Sequence, residues 1–370
     1  MCIRDRGRSQ RELAGRLEAQ GREVRFLVEP HLGRPVRRRV LKDARDGAAR
    51  FGDRPAGRVA AAIRTRIGRR PRRALIEGRE HLVTIAPENV FGALARDFRP
   101  DVVVGSSINR VTWRQIRDDC AAMGVPTILY VREEAAVGHI GVVADAERTV
   151  ANAAALSHLF TEAGVETVTI PSVVEVAPIE PPPRREVALV VNPIASHGVE
   201  LIGPLARAIP DLTFLLQESW PLTAHQQAVV DQIVAEVPNV EFRRRVDGAD
   251  ALFGRARLLL APHRVDNRPR VIHEAGVNAI PAIVADQPGL VEAAGGGGLV
   301  AGSPDDVDAW VRTIRSVLDD SEREDALQRG AVHHAARDEM NPEVVAARFA
   351  AEADRVVGEF RLDRAAASSS

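Results

Sequence analysis

The sequence predicts an α/β protein with two domains, each a parallel sheet covered by helices, and three observations carry that expectation. Helical and strand-like segments alternate along the first half, a pattern that builds a parallel sheet with helices on its faces. A proline-rich stretch from Pro171 to Pro183, ending in Pro181-Pro182-Pro183, reads as a stiff linker between the halves. In the second half, Arg257-Leu-Leu-Leu-Ala-Pro262 is a short apolar run with a proline stop, as a buried parallel strand feeding a loop would be. At 370 residues the chain is long enough for each domain to bury its own core.

In chain order, Arg8 to Gln20 reads as an amphipathic helix. Strands follow at Val24 to Val28, Leu82 to Ala86, Asp101 to Gly105, Thr127 to Val131 and Val168 to Pro171. The intervening span from Arg34 to Arg79 is dense in arginine, with Arg37-Arg-Arg39 and Arg69-Arg70-Pro71-Arg72-Arg73. Such a span can touch anionic lipid headgroups or an acidic acceptor; the plainer reading is a solvated insertion, because aromatic anchors are nearly absent from it. After the second sheet, Asp305 to Leu318, Glu322 to Arg337 and Glu343 to Phe360 read as helices, and Ala365 to Ser370 as a disordered tail.

The richest segment is Asp266-Asn-Arg-Pro-Arg-Val-Ile-His-Glu274, followed by the apolar strand Ile280-Pro-Ala-Ile-Val-Ala-Asp286 and then Gln287-Pro-Gly289-Leu-Val-Glu292. Two carboxylates eight positions apart straddle a strand-to-helix junction, with a third acid beyond a glycine turn. Asn267 is placed to cap the helix and Pro269 to lie in its first turn, where a missing N–H costs nothing. The helix N-terminus then offers free N–H groups to an anion, and Arg264, Arg268 and Arg270 add charge. Against this stands an ordinary helix pair between Arg270 and Glu274, worth a few tenths of a kcal/mol.

Several segments agree in order with one family. These are Val187-Ala-Leu-Val-Val-Asn192-Pro-Ile-Ala-Ser-His197-Gly198, Pro210 to Leu216, Pro238 to Phe242, Ala256 to Pro262, the acid pair, Ile280 to Asp286, Pro288 to Glu292 and Gly297-Gly-Leu-Val300. Together they resemble the retaining glycosyltransferases of family 4, over residues 187 to 320 and more loosely over 7 to 172. The resemblance implies the GT-B fold, two Rossmann-like parallel-sheet domains facing across a cleft, and transfer of a sugar from a nucleotide diphosphate donor to an acceptor held by the first domain. It assigns residues 7–172 to an acceptor domain, 173–186 to a linker, 187–340 to a donor domain, 341–361 to a helix returning to the first domain and 362–370 to a tail. Gly7 to Val28 matches the family's first helix and second strand, so the first strand is expected to be missing. Met1 to Arg6 resembles a translated adapter fragment and is set aside.

By position, Glu274 is the acid that hydrogen-bonds the donor's ribose, and Asp266 stands where a glutamate usually faces the transferred sugar. Asn267-Arg268-Pro269 replaces the usual glycine cradle for the diphosphate. Asn192 and His197, before Gly198, hold the places of an arginine and a lysine that usually grip that diphosphate. Lys42 is the only lysine of the chain, so a neighbouring arginine or a protonated His197 has to neutralise the leaving group; His197 as a plain loop residue is an equal alternative. Glu292 completes the donor set. On the acceptor side, Ser106 and His139 follow strand ends, where open α/β sheets bind ligands, and Arg148 and Asn152 could share a helix face.

The implied chemistry is same-face attack with retention, in which protein charge stabilises the departing diphosphate without metal, cofactor or covalent nucleophile. A sugar, a lipid-linked sugar or a small molecule would serve as acceptor. Two other readings stay open: a degenerate sugar-nucleotide-binding or scaffold protein, and a GT-B sugar-nucleotide epimerase. The formal charge of −1 argues against general nucleic-acid binding, and no apolar run reaches the length that spans a bilayer. Cys2 and Cys120 form no disulfide or zinc spacing, which makes the cytoplasm, or its membrane face, the expected compartment. The preference for arginine, alanine and valine matches high-GC bacterial coding.

Overall fold

The computed structural model describes residues 2–3, 8–28, 71–76, 78–84, 86–106, 110–132, 140–246 and 248–369. The chain divides into two compact units. One comprises residues 1–152, 159–173 and 345–370; the other comprises 153–158 and 174–344. Most of the arginine-dense Arg34–Arg79 span, together with Ser107, Glu133 and His139, lies outside the described residues.

The first unit holds an eight-stranded sheet. Its strands are β1 (Cys2–Ile3), β2 (Phe26–Val28), β3 (Arg72–Ile76), β4 (Arg79–Val83), β5 (Val103–Gly105), β6 (Thr127–Val131), β7 (Arg148–Ala151) and β8 (Thr167–Thr169). Their order is β3-β4-β2-β1-β5-β6-β7-β8. Among the described residues only the β3–β4 hairpin is antiparallel. Cys2 and Ile3 thus fill the central position for which the sequence suggested no strand, pairing with β2 on one side and β5 on the other. The strand expected at Thr127–Val131 is present and that expected at Val168–Pro171 appears as β8, but Arg148–Ala151 is a strand where a shared helix face for Arg148 and Asn152 was expected. Thr149 and Val150 explain this: β-branched residues suit a pleat, and Thr149, Val150 and Ala151 are all buried.

The second unit is a six-stranded, wholly parallel sheet. Its strands are β9 (Val187–Val191), β10 (Thr213–Gln217), β11 (Val240–Arg243), β12 (Ala256–Ala261), β13 (Ala282–Ala285) and β14 (Gly298–Gly302), in the order β11-β10-β9-β12-β13-β14. Strands covered on both faces read as unbroken apolar runs, and Leu258, Leu259, Leu260 and Ala261 are each at most 2% exposed. Chain order runs outward from β9 to β10 and β11, then returns to β12 on the other side of β9. The topological switch point therefore lies between β9 and β12, where such sheets bind ligands beyond their carboxyl ends. The proline-rich segment is pinned to this unit: Ile179 is buried and donates its N–H to Asn278 Oδ1 at 2.8 Å.

The helix expected over 305–318 runs Val307–Leu318, where the Asp306 side chain accepts from Ala309 N–H as a cap. The last helix, Pro342–Ser369, packs Val345, Phe349, Ala353 and Val356 against Ile128, Tyr130, Val150 and Ile170 of the first unit. It also continues through the segment expected to be disordered. Ala365, Ala366 and Ala367 are the best helix formers, and Ser368 Oγ donates to the Arg364 carbonyl at 2.8 Å. Among the described residues no helix is long and apolar enough to cross a membrane.

Candidate functional site

At the switch point of the second unit, the turn after β9 and the loop after β12 press together. Asn192, directly after β9, lies in the left-handed region at φ 57°, a conformation that asparagine tolerates better than most residues. It is buried, and its Oδ1 accepts the Ser219 N–H at 3.0 Å, which fixes the turn to the loop after β10. Gly198 also has a positive φ of 70°, and a Cβ there would sit 2.1 Å from the Pro262 carbonyl oxygen. Only glycine lets the two loops approach so closely.

That approach stacks His197 on His263, with ring centroids 4.1 Å apart and an interplanar angle of 12°. Trp220, from the loop after β10, meets His197 edge-on at 5.9 Å. His197 Nδ1 lies 3.1 Å from the Asn192 carbonyl oxygen. His263 Nδ1 lies 3.2 Å from Asn267 Oδ1. Burial lowers the His197 pKa, opposed by the carbonyls of Asn192 and Val191. Burial and the neighbouring His197 push His263 down to about 3. Burial therefore works against a positive charge on His197, the histidine that the resemblance offered, beside a neighbouring arginine, as a cation for the diphosphate.

Asn267 does not cap the following helix, because its side chain serves His263. The helix runs Arg270–Val277, and Pro269 is its N-cap with φ −74° and ψ 133°, not a first-turn residue. A residue before proline is driven out of the helical region, so Arg268 cannot begin the helix. Asp266 is buried, and its Oδ1 accepts the Gly289 N–H at 2.8 Å. It thereby places negative charge at the start of the helix Pro288–Ala294. Glu274 is buried on its own helix and accepts from Arg270 Nε at 2.8 Å. The ordinary i,i+4 pair thus exists, but with side chains only 23% and 12% exposed it is no solvated surface contact.

The other charged candidates are held in pairs. Arg268, with a side chain 9% exposed, approaches Glu292 Oε1 at 3.4 Å. Glu292 Oε2 accepts the Ala155 N–H at 3.1 Å. Arg264 pairs with Asp305 at 2.8 Å on the surface, and that partner raises its pKa. Its backbone N–H reaches the Ser196 carbonyl, a further tie between the two loops. Asn192, His197, Gly198, Arg264 and Asn267 are thus gathered where the loops after β9 and β12 meet, with Asp266 on the same β12 loop.

The remaining candidates belong to the first unit. Ser106, buried after β5, accepts from Gln10 Nε2 at 2.8 Å. Arg148 pairs with Glu352 at 2.9 Å and Glu359 at 2.7 Å, partners from the last helix. Asn152 is 4% exposed, and its Oδ1 is buried without a hydrogen-bond partner. Sequence reasoning missed His263, the residue after Pro262, and also Trp220 and the Gln217–Arg243 pair. In that pair Arg243 Nε donates to Gln217 Oε1 at 2.5 Å, tying β10 to β11 at their carboxyl ends. The signal for His263 was its position directly after a buried strand with a proline stop.

Two expected results test these contacts. Asp266→Ala should cost about 1–3 kcal/mol of stability by leaving the Gly289 N–H buried and unpaired, whereas Asp266→Asn should cost less because an acceptor remains. Equal urea midpoints for wild type and Asp266→Ala would show that this bond holds nothing. The buried histidines set the acid response. His263 at about 3 and His273, lowered by burial to about 4, both lie below the usual 6.5, so between pH 6.5 and 4 the unfolded chain binds more protons than the folded one. Stability should therefore fall as pH drops through that window. A urea midpoint at pH 5 that matches or exceeds that at pH 7.5 would contradict the burial of these rings.

Comparison with known proteins agrees with this layout. Residues 204–320 match the family model described as Glycosyl transferases group 1. Anabaena Alr3699/HepE in complex with UDP-glucose is similar at 13% identity and a TM-score of 0.66, with 89% of this chain and 100% of that chain covered. Sucrose-phosphate synthase (tll1590) from Thermosynechococcus elongatus is similar at 14% identity and a TM-score of 0.62, covering 80% of this chain and 86% of that one. The pneumococcal O-GlcNAc transferase GtfA in complex with UDP and GlcNAc matches at 11% identity and a TM-score of 0.58, over 73% of this chain; the chain spans 60% of that protein's length. No curated protein matches the chain in sequence. At these identities the structural likeness shows the fold, which is GT-B.

Proposed function

We propose that this protein is a glycosyltransferase that takes a sugar from a nucleotide diphosphate donor bound by its second unit and passes it to an acceptor. The observation that carries this reading is the buried acid pair, Asp266 and Glu274, on the loop and helix that follow β12 beside the switch point. It stands within the segment that matches the glycosyltransferase group 1 model. Glu274 is assigned to the donor's ribose hydroxyls, with Arg270 holding its carboxylate in place. Asp266 acts mainly as a positioning residue for the Gly289 turn, and Arg268 and Arg270 supply charge toward the diphosphate.

In this reading the sugar is transferred with retention and without metal or cofactor, by same-face attack in which the departing diphosphate helps take the acceptor's proton. Donor hydrolysis with water as acceptor, followed by NMR in the presence of EDTA, tests both points. The freshly released sugar should carry the donor's anomeric configuration. An inverted first product would remove retention, and activity lost to EDTA and restored by manganese would remove metal independence.

A second reading, sugar-nucleotide binding without transfer, is favoured by one observation: Asp266 spends an oxygen on the Gly289 N–H where a sugar contact is expected. Donor binding with no donor turnover would select it.

A further inference from the structure

The His197–His263 stack has a chemistry that the donor reading does not assign. A carbonyl oxygen can only accept, so the His197 Nδ1 facing the Asn192 carbonyl carries the ring's proton. The same holds for His263 Nδ1 facing Asn267 Oδ1. Each neutral ring therefore has a bare lone pair at Nε2, and among the described residues neither Nε2 has a hydrogen-bond partner. Both rings follow strand ends at the switch point, one after β9 and one after β12.

A phosphate or sulfate oxygen also presents only lone pairs, and so meets no donor on the neutral stack. A tautomer change would supply one only by giving up the Asn192 or Asn267 bond. A proton added at Nε2 supplies a charge-assisted donor and keeps both bonds. Rings 4.1 Å apart cannot both carry charge without strong repulsion, so the pair takes up one proton and not two. The surrounding groups leave this role to the histidines. Behind His197 stand the carbonyls of Asn192 and Val191, and edge-on is the uncharged Trp220. Glu218, on the Trp220 loop, accepts from the Leu222 and Arg245 N–H groups. Arg264, beside His263, is paired with Asp305 and feels Glu200.

We propose that an oxyanion entering the switch-point crevice of the second unit binds together with one proton, taken from solvent onto Nε2 of the His197–His263 pair. For a nucleotide diphosphate sugar this rests on the donor reading, and it makes donor affinity proton-linked.

UDP-glucose is a suitable probe because its diphosphate diester has no ionisation near neutrality. Calorimetry of the wild-type chain at pH 7.5, in buffers of different ionisation enthalpy, should show uptake of about one proton per UDP-glucose bound. The dissociation constant should rise about tenfold from pH 7 to pH 8. His197→Lys should remove both the uptake and the pH slope while binding persists. Saturable binding with no proton uptake would overturn the proposal and leave the donor reading standing. If UDP-glucose does not bind at any pH, the donor reading fails for this nucleotide, and sulfate decides the proposal by itself. Saturating sulfate at pH 7 should convert one ring to imidazolium in histidine NMR, and two rings that stay neutral would overturn it.

Discussion

Glu274→Ala should weaken nucleotide-sugar binding by about 1.5–3 kcal/mol, on the order of 10- to 150-fold in dissociation constant, because a charged hydrogen bond to ribose is lost. Glu292→Ala should cost clearly less, since Glu292 is committed to Arg268 and the Ala155 N–H and would act on the donor only through that arginine. Glu274→Gln separates binding from folding: it keeps the shape and an acceptor for Arg270, and should retain part of the affinity. Calorimetry with several nucleotide diphosphate sugars is the measurement. Equal affinity for wild type and Glu274→Ala would remove Glu274 from the ribose.

The second large effect is expected at Gly198. A side chain there would adopt φ 70° and place its Cβ 2.1 Å from the Pro262 carbonyl oxygen. The left-handed conformation costs about 1–2 kcal/mol, and forcing packed backbones apart adds about 1–3 kcal/mol, so Gly198→Ala should destabilise the second unit by roughly 2–5 kcal/mol. The same displacement should unstack His197 from His263 and abolish donor binding even where the unit still folds. Urea denaturation followed by tryptophan fluorescence reports the first effect. An unchanged midpoint would mean that the two loops move apart freely.

The second sheet was legible in the sequence because its strands are buried on both faces and read as continuous apolar runs between prolines and glycines. Val187 to Val191 and Ala256 to Ala261 needed no other signal. The first sheet was harder. Its β7 is a four-residue strand that begins with a charged arginine, and Arg148 is stabilised there by Glu352 and Glu359, some two hundred positions away in the chain. No local pattern announces such a partner.

The candidate site divides the same way. Asp266, Glu274, Asn192 and Gly198 were visible as residue types at fixed spacing, and each has a definite structural role. The state of His197 was not visible, because it depends on burial against His263, a residue sixty-six positions later that only the adjacency of β9 and β12 brings into contact. Asn267 was misassigned as a cap for the same reason: its side chain serves that histidine, while Pro269 sets the helix start. Local grammar identifies which residues carry chemistry, and sheet order decides their charge.

Donor turnover decides whether the second unit binds a nucleotide diphosphate sugar and whether the protein breaks its sugar–phosphate bond. Wild-type chain incubated with a panel of nucleotide diphosphate sugars should release free nucleoside diphosphate from at least one of them, and Glu274→Ala should slow that release at subsaturating donor. No release above buffer from any donor that calorimetry shows to be bound would contradict transfer and leave a binding protein.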